Sequence, residues 1–189
     1  MSTRTEQYLG QLATTLSQTP REPLAAIEQM LWETYLRDGT IFVCGNGGSA
    51  TTATHFACDL AKWTISAGQR RLRAQALTDN TALMTAWAND TAYEWMFVEQ
   101  LATHYRPGDV LVVISGSGRS PNIARVLEWA RAHEMPSAAL TGRDGGHMPK
   151  LANETLIAAS QFMPEIEDVH SAVCHSLAVS LGERIKDLA

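Results

Sequence analysis

His55 and Asp59 stand four residues apart in TIFVCGNGGSATTATHFACDL, residues 40–60. In an α-helix that spacing puts an imidazole and a carboxylate on one face, where they can share a metal ion or move a proton. A local hydrogen-bonded pair is the plainer use of the same spacing. A second set of reactive groups lies far along the chain, in EIEDVHSAVCHSL. There Glu167 and His170 share a helical face, as do His170 and Cys174, and His175 lies one position round. Glu167 and His175 would be about 12 Å apart along a straight helix, so spacing alone does not bring them together. In a first turn, Glu167 would also complement the helix dipole. His104, His133 and His147 read as surface or capping residues.

Two glycine-serine loops accompany these groups. One, Gly45-Asn46-Gly47-Gly48-Ser49, follows an apolar run; the other, Ser115-Gly116-Ser117-Gly118-Arg119-Ser120, follows DVLVVIS and is closed by Pro121. Glycine permits close backbone approach, the N–H groups of the next helix favour an anion, and serine hydroxyls donate further bonds. Either loop alone makes a tight turn, but two at one sheet edge point to a bound anion. Gly45, Gly47 and Ala50 fit the dinucleotide pattern G-x-G-x-x-[G/A], yet Asp79 lies well beyond the acidic offset of about 20 that it requires. No Walker-type loop is present. The serine-rich second loop suits a compact phosphate monoester. Asn89-Asp90, after an apolar stretch, reads as a turn or as groups for a sugar hydroxyl.

These groups need elements to hold them. Segments 4–18 and 22–37 read as helices broken by TPRE. Short apolar runs at 40–45, 74–79, 109–115, 137–142 and 155–160 read as strands, with helices at 49–63, 81–105, 121–133 and 166–186. Runs apolar on both faces and joined by helices predict a three-layer α/β/α fold around a five-stranded parallel sheet, of flavodoxin- or Rossmann-like type. Ligands bind beyond the carboxyl ends of such strands. With 189 residues, the expectation is one domain, 1–189, with N-terminal helices over 1–37 and an α/β core over 38–189.

Composition removes several classes. The net charge of −5 argues against a general nucleic-acid binder, and Arg70, Arg71 and Arg73 read as a solvated loop edge. No apolar run approaches the roughly 20 residues of a membrane span, and MSTRTEQYLGQL lacks the apolar core of a secretory signal. Three cysteines with no C-x-x-C spacing predict neither a disulfide framework nor a zinc ribbon. A cytoplasmic protein is expected.

CGNGGSA…HFACDL, TALMTAWAND, RPGDVLVVISGSGRSPNIARVLEWARAH, ALTGRDGG and IEDVHSAVCH, in that order over about residues 38–180, resemble the phosphoheptose isomerases of the sugar-isomerase (SIS) superfamily. The resemblance implies interconversion of sedoheptulose 7-phosphate and a glycero-manno-heptose 7-phosphate for cell-surface glycans. It also implies a homotetramer with active sites between subunits and a divalent metal, usually zinc. Asn46, Gly47 and Gly48, with neighbouring Ser49, match the first sugar-phosphate loop. Ser115, Ser117 and Ser120, with Gly116, match the phosphate-binding serines, and Asn89 and Asp90 match the pair that contacts the sugar. His55, Asp59, Glu167 and His175 fall at the family's metal ligands, Glu167 also reaching substrate, and Asp59 and His175 at its proton-transfer pair. Asp59 replaces the usual glutamate, Glu167 the usual glutamine and Gly116 the commoner threonine, this last expected to be harmless. Isomerisation of another phosphosugar remains an alternative. So does a sensor or a replication-initiator-associated binding protein, although such relatives usually lose the carboxylate and histidine kept here as Asp59 and His175.

Overall fold

The computed structural model describes residues 3–188. Its helices are α1 (Arg4–Ser17), α2 (Arg21–Leu36), α3 (Gly48–Lys62), α4 (Thr81–Asp90), α5 (Met96–His104), α6 (Pro121–Ala132), α7 (Met148–Leu151) and α8 (Met163–Lys186). The strands are β1 (Thr40–Gly45), β2 (Arg73–Ala76), β3 (Val110–Ser115), β4 (Ser137–Thr141) and β5 (Glu154–Ile157). All pairings are parallel, in the order β2-β1-β3-β4-β5. The chain leaves β1 for one edge and returns past it to β3, so the crevice between β1 and β3 is the topological switch point.

Side-chain alternation explains why both faces are covered. Along β1, Ile41 and Val43 join a buried cluster with α2, α3 and α8, whereas Phe42 and Cys44 join another with α5 and α6. Along β3, Val110, Val112 and Ile114 face the first cluster, and Leu111 and Val113 the second. The three inner strands are buried at every residue, which is the hydropathy of a sheet covered twice. The expected three-layer fold is therefore present. Ile27, Leu31 and Tyr35 of α2 enter the same cluster as β1 and α8, so this N-terminal helix is built into the core. Buried Asp109 fastens the sheet's starting edge, accepting from the Thr40 and Arg106 N–H groups at 2.7 Å each.

The boundaries hold one surprise. A single helix was expected over 81–105, but the chain breaks after Asp90 and makes a 3-10 turn at Tyr93–Trp95 before α5. Thr91 turns its hydroxyl back onto the Trp87 carbonyl at 2.6 Å, and its backbone leaves the helical region. No residue of α4 is fully buried; only Met84 and Trp87 pack partly against the core beside α5. Helix α7 went unanticipated; four residues are too few for periodicity to show. Helix α8 begins three residues earlier than the expected 166, with Pro164 in its first turn.

His170 ties α8 to the sheet. It is fully buried, and its Nε2 donates to the Thr141 carbonyl at 3.0 Å, which fixes the neutral Nε2–H tautomer. Burial, the larger cause, lowers its pKa from 6.5 to about 4, against the opposing pull of the Thr141 bond. The fold accepts the neutral form, so the unfolded chain takes up a proton first as pH falls. This contribution is complete above about pH 6.5, shrinks below it and is exhausted near 4; its full size is about 3 kcal/mol. Urea denaturation across that window should show a steeper loss of stability in the wild type than in His170→Gln, which keeps a donor for Thr141 and cannot titrate.

Candidate active site

α3 and α8 run side by side, with Phe56 and Leu60 of the first and Val173 and Leu177 of the second in one buried cluster. That contact places three polar groups at its margin. Asp59 Oδ2 lies 3.6 Å from His55 Nε2 and 3.5 Å from His175 Nε2, and the imidazole rings meet edge to face with centroids 4.9 Å apart. These separations exceed those of good hydrogen bonds. The three donor atoms lie within 4.8 Å of one another. A tetrahedral ion with bonds of about 2.0–2.2 Å sets its ligands roughly 3.3–3.6 Å apart, so the donor types and the two Asp59–histidine separations suit a divalent ion. The two histidines are half-exposed and Asp59 is the most sheltered of the three. A small, mostly apolar hollow of about 280 Å³, lined by Asp59, Trp63, His175, Ala178 and Val179, opens beside them.

Glu167, expected as a fourth ligand, does not join this group. It stands two turns before His175 on α8, and its carboxylate lies over Gly48: a Cβ there would fall 2.6 Å from Glu167 Oε1. Helical rise along α8 separates the two positions by about 12 Å and keeps them apart within this chain. Glu167 instead lines a second cavity of about 310 Å³ with Asn46, Gly47, Gly48, Ser49, Ser115, Gly116, Ser117, Ser120 and Met163. This cavity joins the two glycine-serine loops at the β1/β3 switch point. Gly47, with φ 57°, turns the chain into α3, whose Ser49, Ala50 and Thr51 N–H groups bond back to the Asn46 and Gly47 carbonyls. Ser120 caps α6 in position only, since its hydroxyl makes no cap bond and is left for a ligand. A Cβ at Gly116 would lie 2.4 Å from Sδ of the flexible Met163 side chain, which would have to shift to admit it.

Further polar contacts brace the loops. The Arg119 guanidinium forks onto the Asp144 carboxylate at 2.9 and 2.6 Å, holding that exposed carboxyl below its usual range, and Nη1 also donates to the Ser117 carbonyl at 3.4 Å. The His147 N–H donates to the Gly118 carbonyl at 2.9 Å, locking the loop after β4 to the loop after β3. Asn46 and Asn122 exchange two side-chain bonds of 2.8 Å across the switch point, and the Tyr93 hydroxyl donates to Asn46 at 3.0 Å. Sequence reasoning missed Asn122, Tyr93 and Asp144. Only Asn122 carried a signal, as a polar residue directly after the Pro121 that opens α6. Asn89 and Asp90 line neither cavity of this chain; they end α4 exposed and bonded to each other at 2.9 Å.

A larger surface hollow, about 750 Å³, lies elsewhere. Its walls include Glu33, Arg37, Arg131, Glu134, Lys150 and Glu154, at the amino ends of the strands. Ligands of parallel sheets bind at the opposite ends, and this hollow offers neither histidine nor cysteine, so we place the site at the two smaller cavities.

Both the sequence and the fold have counterparts among known proteins. The SIS domain family profile matches residues 6–142. The phosphoheptose isomerase of Paramagnetospirillum magneticum is 38% identical over 175 residues, covering 91% of each chain. The lincomycin biosynthesis protein LmbN of Streptomyces lincolnensis is 37% identical over 169 residues, covering 84% of this chain and 62% of that one. The solved phosphoheptose isomerase of Neisseria gonorrhoeae superposes with a TM-score of 0.87 at 30% identity, over 95% of this chain and 97% of its own. With the family profile, the sheet order and the full-length relatives in agreement, this chain belongs to the SIS domain family and, within it, to the phosphoheptose isomerases.

Proposed function

We propose that the chain carries out the isomerisation for which its family is named, interconverting sedoheptulose 7-phosphate and a glycero-manno-heptose 7-phosphate for the heptose units of cell-surface glycans. The carrying observation is the convergence of His55, Asp59 and His175, from helices distant in sequence, beside a glycine-serine cavity. Moving a carbonyl between C1 and C2 needs a base for the carbon-bound proton and an acid for the oxygens. Asp59 turns Oδ2 toward both histidines, which leaves Oδ1 to take and return the carbon-bound proton. His175 moves the proton between the oxygens as the sugar passes through its enediol. A divalent ion held by His55, Asp59 and His175, zinc being the best fit, supplies a Lewis acid for the carbonyl.

At the other end, Asn46 to Ser49, Ser115 to Ser117 and Ser120 bind the phosphate, and binding energy remote from the reacting bond orients the sugar. From Gly48 to His55 the α3 axis advances about 10 Å, the span between the two ends of an extended sugar phosphate. Glu167 belongs with the substrate cavity in this reading.

The chain acts as one unit, residues 1–189, in a cytoplasmic homotetramer with sites between subunits. Trp63, Ile65 and Val179 are exposed beside Asp59 and His175, as a face awaiting a neighbour would be. Asn89 and Asp90, outside their own chain's cavities, would reach a neighbour's. Among the described residues no helix is long and apolar enough to cross a membrane, which accords with that location.

Incubation with sedoheptulose 7-phosphate and zinc, followed by proton and phosphorus NMR, should yield an aldose phosphate. In deuterium oxide the product should carry deuterium at the exchanged carbon. Binding without conversion would make the protein a sugar-phosphate sensor, and conversion of a different sugar phosphate in a panel would reassign the substrate. Asp59→Asn should lower kcat about a thousandfold, the scale of a lost general base, while inorganic phosphate still binds. Activity retained in that variant removes Asp59 from the chemistry. His55→Ala should no longer retain zinc through gel filtration, as read by elemental analysis; undiminished zinc would place the ion elsewhere.

A further inference from the structure

The hydrogen bonds that join the loops after β1 and β3 carry a consequence for the ligand. Asn122 is fully buried, and the Ile123 N–H, bifurcated between the Ser120 carbonyl and Asn122, donates to Asn122 Oδ1 at 3.1 Å. A backbone N–H can only donate, so this end of the Asn122 amide is its oxygen. Its Nδ2 therefore faces Asn46 Oδ1 at 2.8 Å, and Asn46 Nδ2 returns a bond of 2.8 Å to Asn122 Oδ1. Turning over either amide alone sets N–H against N–H within the pair, and turning both sets Asn122 N–H against Ile123 N–H. Asn46 Oδ1 also receives the Tyr93 hydroxyl at 3.0 Å. Both of its acceptor sites are then filled. One Nδ2 proton of Asn46 remains without a partner among the described residues, and Asn46 lines the cavity.

We infer that Asn122 is a positioning residue. It relays the polarity of a backbone N–H to Asn46, so that Asn46 shows the substrate a hydrogen-bond donor and never its carbonyl. The ligand atom it serves is an acceptor oxygen of the sugar phosphate, which rests on the reading of this cavity given above. An unrelayed Asn46 would turn its carbonyl toward an anionic oxygen in part of the population, losing a bond and adding a repulsion. Asn122 itself lies behind Asn46 and takes no part in proton transfer.

The test uses the full-length protein, inorganic phosphate titrated by calorimetry, and steady-state kinetics with sedoheptulose 7-phosphate. Asn122→Asp presents only acceptors to Asn46 when ionised and so draws the Asn46 N–H away from the ligand. Asn122→Leu keeps the approximate size, carries no charge and releases the Asn46 amide. Both should raise the phosphate Kd and the sugar-phosphate KM, by about tenfold in Asn122→Asp and less in Asn122→Leu, with kcat within about threefold of wild type. A purely structural role would lower the melting temperature without this split between KM and kcat. Unchanged Kd in both variants overturns the inference while leaving the isomerase reading intact. So does a rise in Asn122→Asp alone, because charge would then explain it. A wild type that binds no phosphate overturns both. If neither variant folds, the wild type decides: the Asn46 side-chain NH₂ signal in nitrogen-resolved NMR must shift on phosphate addition, and a signal unmoved at saturation overturns the inference.

Discussion

The apolar seam between α3 and α8 is the contact on which the chemistry depends. Phe56, Leu60, Val173, Leu177 and Leu181 are all nearly or fully buried. Burying each is worth about 1.5–3 kcal/mol, whereas partly exposed charge pairs contribute about 0–1 kcal/mol. Asp59 and its two histidines therefore do not hold the helices together; the helices hold them. A metal ion entering this site would meet donors already in place. Cys174 shares the seam but not the chemistry, because burial, with the Asp59 charge adding, pushes its thiol well above the usual range and keeps it protonated.

The same helix roofs the glycine-serine cavity. The first turns of α8 press Met163 toward Gly116, Ile166 toward Gly142 and Glu167 toward Gly48, at distances that leave no space for a Cβ. One helix thus borders both cavities: its start closes over the loops and His175, two turns on from Glu167, faces Asp59. Rigid placement of this kind is what orientation effects in catalysis require. The His170 bond to the Thr141 carbonyl sets the height of that helix above the sheet, which makes a buried, neutral histidine part of the site's geometry although it touches no substrate.

The loops are held by one another and by the strands below. Gly118 sits under the Gly145 and Gly146 backbone, His147 bonds back to Gly118, and Arg119 is anchored on Asp144. Ser115, Ser117 and Ser120 line the cavity on this frame, to which the Ser117 hydroxyl adds one bond, accepting from the Arg119 N–H at 3.3 Å. The split between α4 and α5 belongs to the same frame, since it delivers the Tyr93 hydroxyl to Asn46.

Much of this was legible in the residues. Runs apolar on both faces, separated by helical periodicity, specified the covered parallel sheet because hydropathy period and burial are the same constraint. The glycine-serine loops could be placed together at one sheet edge, where they do line one cavity, because strand ends and helix starts are local properties. His55 and Asp59 shared a face by spacing alone. What the chain order did not contain was distance between elements. It could not show that His175 reaches Asp59 while Glu167 stays with Gly48, that Asn122 backs Asn46, or that α4 ends early. Those outcomes come from how helices of given apolar faces settle on a twisted sheet, and only tertiary packing decides them.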